Sequence, residues 1–144
     1  MQGLKNAEKS ERLLVLVVDI DNDLYTKTKI NGPLLGRVQV LNGAIQLSLA
    51  DPEDTDANTM FKAVKTYDEL KKEEYTVSIA AITGAESLGY AADRELARQL
   101  DQVIQQYKPD ACIFVSDGAS DERALPIIES RLKVNSVVNV RVKQ

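Results

Sequence analysis

Leu13-Leu14-Val15-Leu16-Val17-Val18-Asp19-Ile20-Asp21-Asn22-Asp23 is the stretch whose reading decides the fold. Its first six residues are all apolar. A run that short, with no polar face, reads as a strand covered on both sides, as in a parallel sheet between helices. The run ends on Asp19, and Asp21 and Asp23 follow at alternate positions. Alternate residues of extended chain share a face, so the three carboxylates can converge on one small volume. Charges beside a core need a cation or hydrogen-bond donors, because taking them out of water is costly. The end of this strand is therefore where a site is expected.

Residues 1–11 are hydrophilic and read as a flexible lead-in, with residues 12–144 as one α/β domain. After the strand comes a polar loop, Ile20 to Pro33. Pro33 suits the first turn of a helix, and Leu34 to Leu49, apolar on most sides, reads as a largely buried one. Asp51-Pro52-Glu53-Asp54 has the chemistry of a helix start, with a cap, a proline and acids in the first turn. That helix runs to about Glu74. A second strand, Tyr75 to Thr83, ends at Gly84. A helix over Tyr90–Tyr107 carries the stripe Ala92, Leu96, Leu100, Val103 and Tyr107, which is helical spacing. A third strand, Ala111 to Ser116, leads into Asp117-Gly118, and a helical segment over Asp121–Leu132 contains Pro126. A fourth strand, Ser136 to Val142, alternates apolar and polar residues as an edge strand does.

Helical crossovers between strands give parallel pairing with right-handed connections. The expected fold is a Rossmann-like three-layer α/β sandwich. Its sheet is four-stranded and parallel in the order 2-1-3-4, with helices on both faces. Ligands in such sheets lie beyond the carboxyl ends of the strands, where strand order reverses. Here that point falls between strands one and three. The residues ending those strands are Asp19 and Asp21 on one and Ser116, Asp117 and Gly118 on the other. Thr83-Gly84 ends strand two on the same edge, and Gly32 with Arg37 flanks a candidate anion pocket at a helix start.

Oxygen-only ligands suit Mg²⁺ or another hard divalent cation, with Asp19, Asp21, Asp117 and Asp121 as the metal set. Taken singly, Asp23 and Glu122 read better as turn and helix-capping residues. The absence of histidine removes most zinc sites and every imidazole triad. The net charge of −4, with no dense Lys/Arg run, argues against nucleic acid as a partner. The single cysteine, Cys112, lies in an apolar run and reads as a core residue. No segment approaches the roughly 20 apolar residues of a membrane helix, so the chain as given reads as soluble. An EF-hand does not fit, because Leu24 and Ile30 stand where its glycine and its bidentate glutamate belong.

Two resemblances extend this reading. Asp19-x-Asp21, Thr83 and Asp117-x-x-x-Asp121 partly resemble haloacid-dehalogenase-like phosphatases, which implies a Mg²⁺-dependent phosphohydrolase with Asp19 as nucleophile. Against it, Asp23 stands where Thr or Val is usual, and Lys108, the nearest lysine, immediately precedes the third strand. The runs VVDIDND, GPLLGR, LADPEDTDAN, YDEL, ITG, VSDGASDE and PIIESR together resemble an archaeal family catalogued as domain of unknown function 373. That resemblance implies the soluble domain of an integral-membrane protein on the cytoplasmic face, its membrane part lying C-terminal to this chain. Where the family often has Arg after the first Asp, this chain has Ile20. The expected function is binding of a small molecule or ion at the ends of strands one and three. A phosphohydrolase and a ligand-free homodimerisation module are the alternatives.

Overall fold

β1 (Arg12–Asp19) has every residue from Leu13 to Asp19 buried, and it occupies the middle of a five-stranded sheet. The computed structural model describes residues 4, 6–118 and 122–140. β3 (Thr76–Thr83) pairs parallel along one side of β1, with Asp19 opposite Thr83. β4 (Ala111–Ser116) pairs parallel along the other, and β5 (Lys133–Asn139) lies parallel beyond it. β2 (Leu34–Leu35) is antiparallel on the outer side of β3, giving the order β2-β3-β1-β4-β5.

The sheet is thus five-stranded and mixed, which corrects the expected four-stranded parallel one. Leu34 and Leu35 do not open a helix. They lie opposite Ala81 and Ala80 and pair with the free side of β3. A two-residue strand leaves no periodicity of its own, and here it was absorbed into the apolar run that follows. The peptide bond between Gly32 and Pro33 is cis.

Parity along β1 sorts the core. Leu13, Val15 and Val17 face the layer of α2 (Arg37–Ala50) and α3 (Thr55–Lys72), where Val40, Leu47, Met60 and Leu70 are buried. Leu14, Leu16 and Val18 face α4 (Tyr90–Tyr107) and α5 (Leu125–Glu129), through Leu96, Leu100, Val103 and Ile128. Each fully buried aliphatic side chain contributes about 1.5–3 kcal/mol, so both layers are anchored on one strand. Cys112 is buried as expected.

Other expectations shift locally. The polar loop after β1 contains a short helix, α1 (Asp23–Thr28), whose Leu24 inserts into the core. α2 is buried on one side only, since Val38 and Leu49 are 78% and 74% exposed. α3 starts at Thr55 and is capped by Asp54, whose carboxylate accepts the Asp56 N–H at 2.8 Å, so Asp51 is not its cap. α5 is shorter than the expected helix, because Pro126 has no N–H to give and fits its first turn. β5 begins at Lys133 rather than Ser136, and positions 141 and 142 of the expected strand lie outside the described residues. No helix among the described residues is long and apolar enough to cross a membrane.

Gly84 locks the end of β3 to the turn after β1. Its N–H donates to the Asp19 carbonyl at 2.9 Å, and the Ala85 N–H donates to the Ile20 carbonyl at 3.1 Å. A Cβ on Gly84 would lie 2.0 Å from the Ile20 carbonyl oxygen. That contact is backbone and cannot swing aside. Gly84→Ala is therefore expected to destabilise the fold by about 3 kcal/mol, the upper part of the range for overpacking. Gly43→Ala should cost clearly less, because its Cβ would come too close only to the movable end of Leu34, with Leu24 and Met60 at ordinary contact distance. Equal losses of melting temperature in the two variants would contradict this reading.

Candidate functional site

The carboxyl edge of the sheet gathers acids from three segments. Asp19 ends β1 at zero exposure. Its two carboxylate oxygens accept the backbone N–H groups of Asp23 at 3.1 Å and Leu24 at 2.9 Å. These N–H groups belong to the first turn of α1, where no carbonyl within the helix can receive them. Asn22 sits in the left-handed region at φ 60 and turns the chain into that helix, a conformation asparagine tolerates better than most residues. Asp21 lies in the turn, Asp23 opens α1, and Asp56 lies in the first turn of α3. Carboxylate oxygens, one each from Asp19, Asp21, Asp23 and Asp56, all lie within 4.8 Å of one another. Beside them is a cavity of about 200 Å³ lined by Ile20, Asp21, Asp23, Thr55, Asp56, Leu88 and Asp117.

The electrostatics follow from this crowding. Burial pushes the Asp19 carboxyl up to about 7, with the Leu24 N–H opposing and Asp21 adding to the rise. Asp56 is pushed up to about 10, first by burial and then by the charges of Asp19, Asp54, Asp21 and Asp117. Asp23 is raised by burial and Asp21, with Lys27 opposing. Lys27 stands at the rim. Its Nζ lies 2.7 Å from Asp51 and 2.5 Å from Asp54, and these carboxylates hold the ammonium above its ordinary value. Among the described residues no ion pair reaches Asp19, Asp21 or Asp56. Oxygen-only donors of like charge at this spacing are the chemistry a hard divalent cation relieves.

The residues expected from the sequence divide into four groups. Asp19 and Asp21 lie in the cluster, and Asp117 lines the cavity, accepting the Thr55 hydroxyl at 3.0 Å. Thr83, Gly84, Ser116 and Gly118 stand on the same edge but are engaged in holding it together. The Thr83 hydroxyl and N–H are both bonded to the buried Gln99, each at 2.8 Å. The Ser116 hydroxyl closes the turn to Gly118. Gly32 packs against Thr83 and Gln99, where a side chain would collide with both. Arg37 is directed elsewhere. β2 runs antiparallel to β3, so the chain has left the carboxyl edge by the time it reaches Arg37, which forms a two-pronged pair with Asp68 at 2.8 and 2.9 Å. Asp121 lies outside the described residues.

One member of the cluster, Asp56, is not singled out by the sequence, because it stands just past the helix cap; Asp23 is expected among the converging acids of β1 but taken singly reads as a turn residue. A signal for Asp56 existed. A helix that leads back into a parallel strand must begin at the carboxyl edge of the sheet, so the first turn of α3 had to lie near the end of β1.

The chain belongs to the family described as Domain of unknown function (DUF373), whose model matches residues 12–144. It is 46% identical over 131 residues to an uncharacterized protein of Archaeoglobus fulgidus, covering 91% of this chain and 38% of that protein. It is 42% identical over 133 residues to an uncharacterized protein of Methanocaldococcus jannaschii, covering 90% of this chain and 34% of that one. The chain thus spans little more than a third of the length of either relative. No solved structure matches it.

Asp19 and Asp56 both ionise less readily in the folded chain than at the ordinary carboxyl value of 3.8. The folded state therefore prefers their protonated forms. The stability they contribute is complete below 3.8 and is lost as the pH rises through about 7 for Asp19 and about 10 for Asp56. Asp51, Asp68 and Glu95 are held low and act in the opposite sense, but only near and below their ordinary values of 3.8 to 4.5. The cation-free chain should thus melt at progressively lower temperature between about pH 5 and about pH 8, and Asp19→Asn should flatten that slope. A wild-type melting temperature constant across this window would contradict the assignment.

Proposed function

We propose that this chain binds a hard divalent cation of the Mg²⁺, Mn²⁺ or Ca²⁺ class at the carboxyl ends of β1 and β4. The observation that carries the reading is the convergence of Asp19, Asp21, Asp23 and Asp56, with oxygens from all four inside 4.8 Å. Four carboxylates from three segments, one of them fully buried, repel one another in the free chain. A cation turns that repulsion into coordination. The adjoining cavity of about 200 Å³, with Ile20 and Leu88 as its apolar walls, has room for the ion's remaining waters or one small ligand group.

The phosphohydrolase alternative has less support. Thr83, which such a reading would place on the phosphate, is committed to Gln99. Lys108 ends α4, two residues before Asp110 donates its N–H to the carbonyl of Arg12 at the start of β1, so it stands at the opposite edge of the sheet. Among the described residues no basic side chain lines the cavity. An anionic ligand would therefore be held through the ion. The fuller reading is that the domain senses a cation, or a metabolite chelated to one, and reports it to the remainder of a longer, membrane-associated architecture. Its support is the length of the relatives, of which this chain covers 38% and 34%, together with the family resemblance.

Titration with Mn²⁺, Mg²⁺ or Ca²⁺ at neutral pH should raise the melting temperature. At about 100 times the dissociation constant the stabilisation is about 2.7 kcal/mol, which is several degrees. Asp19→Asn and Asp56→Asn should each abolish the rise. Asp68→Asn, whose carboxylate pairs with Arg37 away from the cluster, should leave it intact. If no divalent ion shifts the wild-type melt, the reading fails.

A further inference from the structure

The cluster is assembled from two helix starts that are independent in sequence, and one side chain connects them. Lys27 lies one turn along α1 from Asp23 and spans outward to the segment that opens α3. Its Nζ is 2.7 Å from Asp51 Oδ2, 2.5 Å from Asp54 Oδ2 and 3.8 Å from Asp23 Oδ2. Asp54 is the cap of α3, and its other oxygen accepts the N–H of Asp56 at 2.8 Å. A continuous line of contacts thus runs from Asp23 through Lys27 and Asp54 to the backbone of Asp56. The Asp54 side chain is 2% exposed and that of Lys27 is 30% exposed. The link is shielded from solvent in a way that ordinary surface ion pairs are not.

We propose that Lys27 is a positioning residue for the cation site. It holds the start of α1 and the start of α3 at the separation that lets Asp23 and Asp56 share one ion. This rests on the cation-binding reading above. Lys27 does not touch the ion. It acts through the carboxylates, as the residues behind a metal's direct ligands do, and loss of such residues costs 10–100-fold in affinity.

Simple charge reasoning gives the opposite sign, which makes the role testable. An ammonium 3.8 Å from a coordinating carboxylate repels a bound cation, so its removal taken alone should tighten binding. Calorimetric titration with MnCl₂ on wild type, Lys27→Met and Lys27→Arg, each with its melting curve, separates the two. The positioning role predicts that K27M binds Mn²⁺ at least about tenfold more weakly than wild type. It also predicts that K27R, which can still bridge Asp51 and Asp54, stays near wild type, and that all three melt cooperatively. K27M binding as tightly as wild type, or more tightly, overturns the positioning role and leaves the cation site standing. K27M losing its cooperative melt also overturns it, because Lys27 would then belong to the fold and not to the site. Wild type giving no saturable binding overturns the cation reading and the positioning role with it.

Discussion

Asp19 is a carboxylate with no exposed surface at the end of the central strand of the sheet. Most of the local architecture at the carboxyl edge can be traced to that placement. A buried charge must be given donors, and the nearest are the free N–H groups at the start of a helix. The chain therefore turns immediately at Asn22 and begins α1, whose Asp23 and Leu24 N–H groups reach back to Asp19. Leu24 then drops into the core and fixes α1 against the α2–α3 layer. Gly84 and Ala85 hold the same turn from the neighbouring strand through the carbonyls of Asp19 and Ile20. The turn is thus restrained from both sides before any ligand is considered.

Backbone donors alone do not leave Asp19 comfortable. Burial still holds its carboxyl up at about 7, with Asp21 adding to the rise. The surrounding charges are distributed unevenly. Lys27 compensates Asp51 and Asp54 at the rim, while the inner acids face one another across a small cavity. A fold serving stability alone would gain by replacing one of the inner acids with an amide. The clustered acids at the edge where parallel strands end are what the proposed cation would complete.

The parts of this arrangement that could be read from sequence were those governed by hydrophobic pattern. The unbroken run Leu13–Val18 marked the central strand, and the spacing of Ala92, Leu96, Leu100 and Val103 gave α4 its observed bounds, Tyr90–Tyr107. Those two features placed Asp19 and Asp117 on one edge. Features decided by a few local contacts were not legible. β2 is two residues long and exists because Leu34 and Leu35 find a free strand edge beside Ala80 and Ala81. The start of α3 depended on which of several acids, Asp51 or Asp54, captured the helix N–H groups, and Asp54 did. That choice sets the position of Asp56, so the fourth carboxylate came into view only with the fold. Arg37 shows the converse. Its type suited an anion site, but the antiparallel course of β2 carries it to Asp68 on α3.

The domain's relatives in Archaeoglobus fulgidus and Methanocaldococcus jannaschii are far longer than this chain, so the proposed cation site would be one part of a longer protein in them. Its existence can be examined directly. Crystals grown at neutral pH with MnCl₂, measured above the manganese absorption edge, should show an anomalous peak bounded by Asp19, Asp21, Asp23 and Asp56. Its oxygen contacts should lie at roughly 2.0–2.6 Å, the range for hard divalent cations. Well-ordered carboxylates with no anomalous density between them at saturating Mn²⁺ would contradict the account.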